Sequence, residues 1–191
     1  MALRLLLPGA LGALAAVHLV GFAISLPAID PATRIADPDG EWRRVSSAAL
    51  YDPASYRYES ALRFLFIAFA SGDVVPATRA LDLFAASARR APADAYTWTM
   101  TAWAAGFLED AAAATRALRR SWDLAPYNAI LSRERLAIVG AFERPLTPRE
   151  QRDVARDLRV ATREHPAFTR TLLRENPALR RLARAERLDR R

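Results

Sequence analysis

The sequence predicts an all-α protein, and three observations carry that prediction. The chain is 52% hydrophobic with only 7 glycines, and its dominant residues, alanine, leucine and arginine, are good helix formers. Residues 61–94 align without gaps with residues 95–128 as an internal repeat of 34 residues. A period of this length is typical of a helix–turn–helix unit. Prolines and capping residues then punctuate the chain at intervals that suit helices. We expect one helical domain preceded by a membrane segment.

The first element is an apolar N-terminal segment. Residues 5–29 contain no charged side chain, and about 20 apolar residues are enough to cross a bilayer. Arg4 precedes the segment, as in the basic start of a signal sequence. The small-residue cleavage site around Ala23 is a mediocre one. We therefore predict an uncleaved signal anchor, a transmembrane helix within residues 1–29, with cleavage as the alternative.

The orientation of this anchor depends on the basic residues that flank it. Arg4 and the amino terminus favour a cytoplasmic N-terminus, whereas Arg34, Arg43 and Arg44 lie just beyond the span and favour the reverse. Signal anchors commonly keep their short N-terminus inside. We predict a single-pass protein of the bacterial inner membrane with a periplasmic domain, and the opposite orientation stays open.

A linker and the start of the helical domain follow. Residues 30–52 are predicted to be a linker, because prolines and acidic residues are frequent there. A domain of helical hairpins with basic C-terminal helices is predicted over residues 53–191. Asp52 and Pro53 form a good helix start, since an acidic side chain can cap a helix and proline suits its first position. The first helix is expected to end near Ser71.

Two helix pairs are predicted from the 34-residue repeat. In the first pair, Gly72 turns the chain and the second helix covers about residues 76–90. In the second pair, helices cover about residues 94–105 and 109–124, and the turn is placed at Gly106. This arrangement puts a glycine at the turn of both pairs.

A competing register of 37 residues also exists. It aligns residues 77–81 with residues 114–118. This register loses the alignment of both ends of the repeat, so the 34-residue register is preferred.

Shorter helices are predicted towards the C-terminus. A helix is expected over residues 128–142, after which a loop interrupts the 34-residue repeat. Thr147 and Glu150 then have the spacing of a capping box, so a helix should run from there to about Glu164. Further helix starts are predicted at Pro166 and Pro177.

Small and apolar residues recur at equivalent positions of the two helix pairs, and their pattern resembles the tetratricopeptide family. In the first pair these residues are Phe64, Ile67, Ala68, Ala80, Phe84 and Pro92. In the second pair they are Trp98, Ala102, Ala114, Leu118 and Pro126. Thr101, where leucine is usual, and Ser71 and Ala105, where tyrosine is usual, depart from the family pattern. The resemblance spans residues 61–128 and implies a tetratricopeptide-like array of stacked helical hairpins that bind other proteins.

A second resemblance rests on residues 121–127, together with Arg135, Leu136 and residues 145–148. This part of the chain is similar to small membrane-anchored tetratricopeptide-like proteins that accompany bacterial surface-polysaccharide genes. The resemblance implies a role in envelope assembly and carries no catalytic motif.

The family resemblance also implies a concave groove lined by the first helix of each pair. By that carry-over, the partner-binding residues are Leu62, Leu65, Phe69, Tyr96, Thr99 and Trp103. Aromatic side chains at such positions can anchor a peptide or stack on a sugar. The alternative is that the C-terminal helices cover these residues and make them core.

The net charge of +7 comes from the C-terminal part of the chain. Residues 144–191 contain 14 arginines and 7 acidic residues, whereas residues 1–143 contain 14 of each. One predicted helix carries arginines at spacings of three and four: Arg149, Arg152, Arg156, Arg159 and Arg163. This stripe suits an anionic lipid or glycan surface. The alternative is a solvated face paired with Asp153, Asp157 and Glu164, and nucleic acid is not expected as a partner.

No catalytic or cofactor-binding motif is found in the sequence. There is no cysteine, no glycine-rich phosphate loop and no histidine cluster, so we predict no enzyme activity, no cofactor and no metal site. The predicted function is a membrane-anchored protein-interaction scaffold that assists assembly or regulation of an envelope complex, in surface-polysaccharide biosynthesis or export. The alternatives are an accessory subunit of a membrane enzyme complex and a direct binder of anionic glycan or lipid.

Overall fold

The computed structural model describes residues 39, 42–43, 54–142 and 145–186. Its elements are α1 (Ala54–Ser71), α2 (Val74–Arg90), α3 (Ala95–Phe107), α4 (Ala111–Leu124), α5 (Ala129–Ala141), α6 (Pro148–Glu164), α7 (Pro166–Glu175) and α8 (Pro177–Ala185). These ranges contain no strand, so the predicted all-α class is confirmed for the described part of the chain.

The predicted membrane segment lies outside the residues that the structure describes. None of the helices within the described ranges combines the length and the apolar character that a bilayer crossing needs. The predicted anchor, residues 1–29, lies outside the described residues, as does most of the predicted linker.

The described residues fall into two compact units, which are divided between Pro92 and Ala93. In the first unit, α1 and α2 form a hairpin that turns at Gly72, whose φ of 72° suits glycine. Asp73 then caps α2 by accepting a hydrogen bond from the Val75 amide. Phe64 and Phe84 are fully buried between the two helices. The described part of the first unit is therefore built on one helical hairpin.

A predicted linker residue, Trp42, contacts this hairpin. Its ring meets the Phe64 ring edge-on at 6.0 Å, and the Arg79 guanidinium lies 5.5 Å from the Trp42 ring. Arg79 also forms an ion pair of 2.7 Å with Asp39. Residues 39 and 42 thus belong to the surface of the first unit.

The second unit contains α3 to α8. Its hydrophobic core cluster brings together side chains from each of these helices except α7, and α7 packs against the cluster through half-buried residues. The core members include Ala102, Leu118, Trp122, Leu136, Ile138, Val154, Leu158 and Leu179. The C-terminal helices α6 to α8 are thus part of this hydrophobic core.

The two hairpins repeat in their buried faces. Five of the eight buried positions in α2 recur 34 residues later as the five buried positions in α4. They are Ala80, Leu83, Phe84, Ser87 and Ala88 in α2, and Ala114, Ala117, Leu118, Ser121 and Trp122 in α4. The helix starts behave differently, since the capping residues Asp73 and Asp110 are 37 residues apart. The reason is that α4, with 14 residues, is shorter at its start than α2, with 17 residues. The 37-residue register therefore aligns the first turns of the two helices, whereas the 34-residue register aligns their buried positions.

The predicted turn at Gly106 is wrong. Gly106 lies inside α3, and the positive φ of this hairpin, 59°, belongs to Glu109. A Cβ atom on Gly106 would lie 2.1 Å from Cε2 of Phe142. Glycine is therefore required here by the close approach of the Phe142 ring and not by a turn.

The local predictions for the C-terminal helices are confirmed. The Thr147 hydroxyl accepts from the Glu150 amide and the Glu150 carboxylate accepts from the Thr147 amide, which completes the capping box. The helix that begins there ends at Glu164 as expected, and proline occupies the first position of α7 and of α8. Local sequence signals were sufficient for these helix boundaries.

Candidate functional site

A buried polar network joins three helices of the second unit. Arg135 of α5 and Asp157 of α6 are both fully buried, and the guanidinium donates to both carboxylate oxygens at 3.0 and 2.9 Å. The Trp122 indole nitrogen of α4 donates to the same carboxylate at 2.7 Å, and the Ser132 hydroxyl donates at 2.8 Å. Four hydrogen bonds thus converge on one carboxylate.

The charge of Asp157 depends on two opposed effects. Burial raises the pKa of the Asp157 carboxyl above its ordinary value. The Arg135 guanidinium and the hydrogen bonds from Trp122 and Ser132 act against this rise and lower the pKa. The ionised form is favoured because the guanidinium binds in a bidentate manner, and because a guanidinium and an indole N–H can only donate. The Asp157 carboxylate therefore joins side chains of α4, α5 and α6 within the core.

The same arginine fixes the end of α4. Its Nη1 atom donates to the carbonyl oxygens of Ser121 and Ala125 at 3.3 and 3.1 Å. The Ser121 carbonyl also accepts from the Ala125 amide, whereas a carbonyl group at the very end of a helix has no partner within the helix. Arg135 therefore adds a donor to both carbonyl groups from inside the core. The residues that follow Ala125 therefore leave α4 from a rigid base.

The loop between α4 and α5 contains an exposed tyrosine. Tyr127 is 74% exposed, and the Arg156 guanidinium lies 5.7 Å from the centre of its ring. Arg156 also donates from Nε to the Pro126 carbonyl at 3.0 Å and forms an ion pair of 2.9 Å with Asp153. A basic side chain of α6 thus holds both the backbone and the ring of the loop between α4 and α5.

Tyr96 and Ile130 extend this exposed surface around the loop. Asn128 caps α5 and donates from Nδ2 to the Tyr96 hydroxyl at 3.4 Å. Tyr96 is itself exposed, and Ile130 in the first turn of α5 is 53% exposed. We call Tyr96, Tyr127, Ile130 and Arg156 the tyrosine surface. It joins one predicted groove residue, Tyr96, to one predicted stripe residue, Arg156.

The other predicted groove residues lie in different surroundings. Leu65 in the first unit and Thr99 in the second unit are buried, and the Thr99 hydroxyl lies 2.7 Å from the Ser121 hydroxyl. Phe69 of the first unit is 45% exposed. Trp103 is half-buried, and its ring meets the Phe142 ring edge-on at 5.8 Å. Within the second unit, Tyr96 is therefore the most accessible of the predicted groove residues.

The predicted arginine stripe lies on α6, and acidic partners accompany most of it. Arg149 pairs with Asp123 at 2.6 Å, Arg159 with Glu186 at 2.7 Å, and Arg163 with its neighbour Glu164 at 2.7 Å. Arg152 is exposed. Asp157, expected among the partners of this solvated face, is instead buried against Arg135. The stripe is therefore largely compensated by acidic side chains.

Sequence reasoning missed the centre of the site. Tyr127 lies in a loop, whereas the family resemblance directed attention to the first helix of each pair. Arg135 and Asp157 are 22 residues apart, and no local motif links them. The position of an aromatic residue directly after the helix-ending Pro126 was the available sequence signal for Tyr127. Within the described ranges, no cluster of three or more side chains could hold a metal ion.

Comparison with known proteins does not assign the chain to a family. No protein-family model, no curated protein and no solved structure matches the chain.

Proposed function

We propose that this chain is a membrane-anchored scaffold of the bacterial inner membrane, which binds a protein partner through the tyrosine surface. Its tetratricopeptide-like helical domain would assist assembly or regulation of an envelope complex, in surface-polysaccharide biosynthesis or export. The observation that carries the proposal is the exposed Tyr127 ring held by Arg156. The uncharged segment of residues 5–29 supports the membrane anchor.

The composition of the tyrosine surface favours a protein partner. Tyrosine and arginine are enriched among the residues that dominate binding energy at protein interfaces. An exposed tyrosine offers a large apolar face together with a polar hydroxyl. Tyr127, Tyr96 and Arg156 supply both features at one loop, and Ile130 adds an exposed aliphatic contact.

The rigidity of this surface adds to the proposal. Binding costs less free energy when the contact residues are already ordered. Arg156 restrains the Pro126 carbonyl and the Tyr127 ring, while Arg135 satisfies the end of α4 from beneath. These contacts restrain the loop in the absence of a partner.

The repeated burial pattern supports the tetratricopeptide-like part of the proposal. Ser87 and Ser121 are equivalent buried positions near the ends of α2 and α4. The same buried positions thus recur 34 residues apart. This recurrence is what a tandem helical repeat requires.

The proposal is tested by co-purification from native membranes. The tagged full chain would be crosslinked in cells, solubilised and purified, and its partners identified by mass spectrometry. We expect a defined membrane-complex partner with the unaltered chain, and a loss of about tenfold or more with Tyr127→Ala, because truncation of a central interface residue has effects of this size.

Phe66→Ala is the matched control, since Phe66 is an exposed aromatic residue of α1 at 67% exposure. It should leave recovery of the partner unchanged. Equal recovery with Tyr127→Ala and with the unaltered chain would refute the proposed role of the tyrosine surface.

A further inference from the structure

Two adjoining cavities, both partly open to solvent, lie on the side of α5 that carries Val139, next to Leu146. The first has a volume of about 190 Å³ and is lined mainly by apolar residues, among them Leu118, Ile138 and Phe142. The second has a volume of about 490 Å³. Val139 and Leu146 line both cavities, so the two spaces adjoin at these side chains.

The first cavity has the size and lining for part of a hydrocarbon chain. An apolar cavity of about 150 Å³ can hold benzene, whereas sites for drug-sized ligands measure about 300–1,000 Å³. Its volume of about 190 Å³ therefore suits a short stretch of chain and not a large ring system. The glycine at position 106 lets the Phe142 ring form one wall, since the two approach too closely for any other residue.

The second cavity supplies a polar end. Its lining includes Asn176 and Arg181. Asn176 is already engaged, because its Nδ2 atom donates to the Gly140 carbonyl at 3.1 Å and its Oδ1 atom caps α8 at the Leu179 amide. Arg181 is exposed at the rim, and it can offer its guanidinium to a ligand.

The charges of the two cavities differ. Glu109 is an acidic residue in the lining of the first cavity, and it repels an anionic group there. Arg181 attracts such a group at the second cavity, and guanidinium groups pair well with carboxylate and phosphate oxygens. Charge complementarity therefore selects a ligand with its anionic end at Arg181 and its apolar chain directed past Leu146.

We propose that these cavities bind an amphiphile that carries a hydrocarbon chain and an anionic headgroup. The chain occupies the first cavity and the headgroup pairs with Arg181. A free long-chain carboxylate and an anionic phospholipid share this chemistry. The site lies apart from the tyrosine surface and does not depend on the proposed protein partner, so either proposal can fail without the other.

The test uses the full chain in phosphatidylcholine nanodiscs with labelled isoleucine methyl groups. Stearate with a nitroxide near the end of its chain is added, and broadening of the methyl signals is measured. Ile138 lines the first cavity and is fully buried, whereas Ile130 on the same helix is 53% exposed. We expect stronger broadening at Ile138 than at Ile130, because random collisions with the label would affect the exposed methyl group first.

Matched variants locate the effect. Ala111 lines the first cavity and is exposed at its mouth, whereas its neighbour Ala112 is exposed and does not line it. Ala111→Trp should abolish the broadening at Ile138, and Ala112→Trp should preserve it. No broadening at Ile138, broadening no stronger than at Ile130, or no effect of Ala111→Trp would each overturn the proposal.

Headgroup chemistry is tested in the same assay. Arg181→Gln should weaken binding of the labelled stearate about tenfold, since it removes a charge-assisted hydrogen bond, and Arg180→Gln serves as the control. The labelled methyl ester should bind more weakly than the acid, and equal binding of the ester would refute the anionic headgroup. Chain-labelled phosphatidylglycerol identifies the source: broadening of Ile138 by this lipid alone assigns a phospholipid, and broadening by stearate alone assigns a free carboxylate.

Discussion

Replacement of Arg135 by methionine is expected to lower the free energy of unfolding of the second unit by about 3–5 kcal/mol, because it leaves a buried carboxylate without its charged partner. Asp157 is fully buried and takes two of its four hydrogen bonds from Arg135. The carbonyl groups of Ser121 and Ala125 would also lose a donor. Hydrogen exchange of the purified full chain, measured by mass spectrometry, should show faster exchange throughout α4, α5 and α6.

Arg133→Met is the matched control for this change. Arg133 lies on the same helix, is exposed, and pairs with its neighbour Glu134, so its loss should change stability by less than about 1 kcal/mol. The double variant Arg135→Met with Asp157→Leu should be more stable than Arg135→Met alone, since no unpaired charge remains buried. If Arg135→Met and Arg133→Met were equally stable, the network would not hold these helices together.

Gly106→Ala is expected to destabilise the second unit by about 1–3 kcal/mol, as overpacking of a dense core does. Alanine normally stabilises a helix interior relative to glycine by about 0.5–1 kcal/mol, so the expected sign is reversed here. The cause is the Phe142 ring, three of whose atoms would lie 2.1 to 2.6 Å from the new Cβ atom. Thermal unfolding of the full chain, followed by circular dichroism, measures the change.

Two further variants separate this clash from a general effect of the substitution. At Gly140, the atom nearest to a new Cβ is the end of the flexible Leu172 side chain at 2.9 Å, so Gly140→Ala should be tolerated better. Phe142→Leu should be less harmful in the Gly106→Ala background than alone, because a smaller side chain relieves the contact. A stabilising effect of Gly106→Ala would contradict the close approach of the Phe142 ring.

The parts of the fold that depend on local chemistry could be predicted from the sequence. The capping box at Thr147 and Glu150 fixes the start of α6, and proline marks the starts of α7 and α8. These signals act within a few residues, through hydrogen bonds and backbone geometry, and need no knowledge of the rest of the chain. Helix class and most helix boundaries followed from them.

The parts that depend on distant contacts could not be predicted in this way. Gly106 looks like a turn residue in the sequence, and only the position of Phe142 explains why it must be glycine. Arg135 and Asp157 look like ordinary surface charges on amphipathic helices, and only the packing of α5 against α6 buries them together. The tyrosine surface depends on the same packing, because Arg156 reaches Tyr127 from α6.

The buried network and the proposed interaction site are thus connected through the backbone. Arg135 holds the end of α4, and the next residues of the chain carry Tyr127. Asp157 binds Arg135 inside the core, while the adjacent Arg156 binds the Pro126 carbonyl at the surface. A rigid core therefore sets the position of an exposed aromatic side chain, which is the arrangement that a pre-organised interface needs.

The most direct test of the proposed scaffold is crosslinking in cells from a photoreactive amino acid at position 127, compared with the same amino acid at position 66. Both positions are exposed aromatic residues of the chain. We expect a discrete protein partner to be crosslinked from position 127 and not from position 66. Crosslinks from position 127 that stay within the chain, or the same products from both positions, would contradict a partner-binding role for the tyrosine surface.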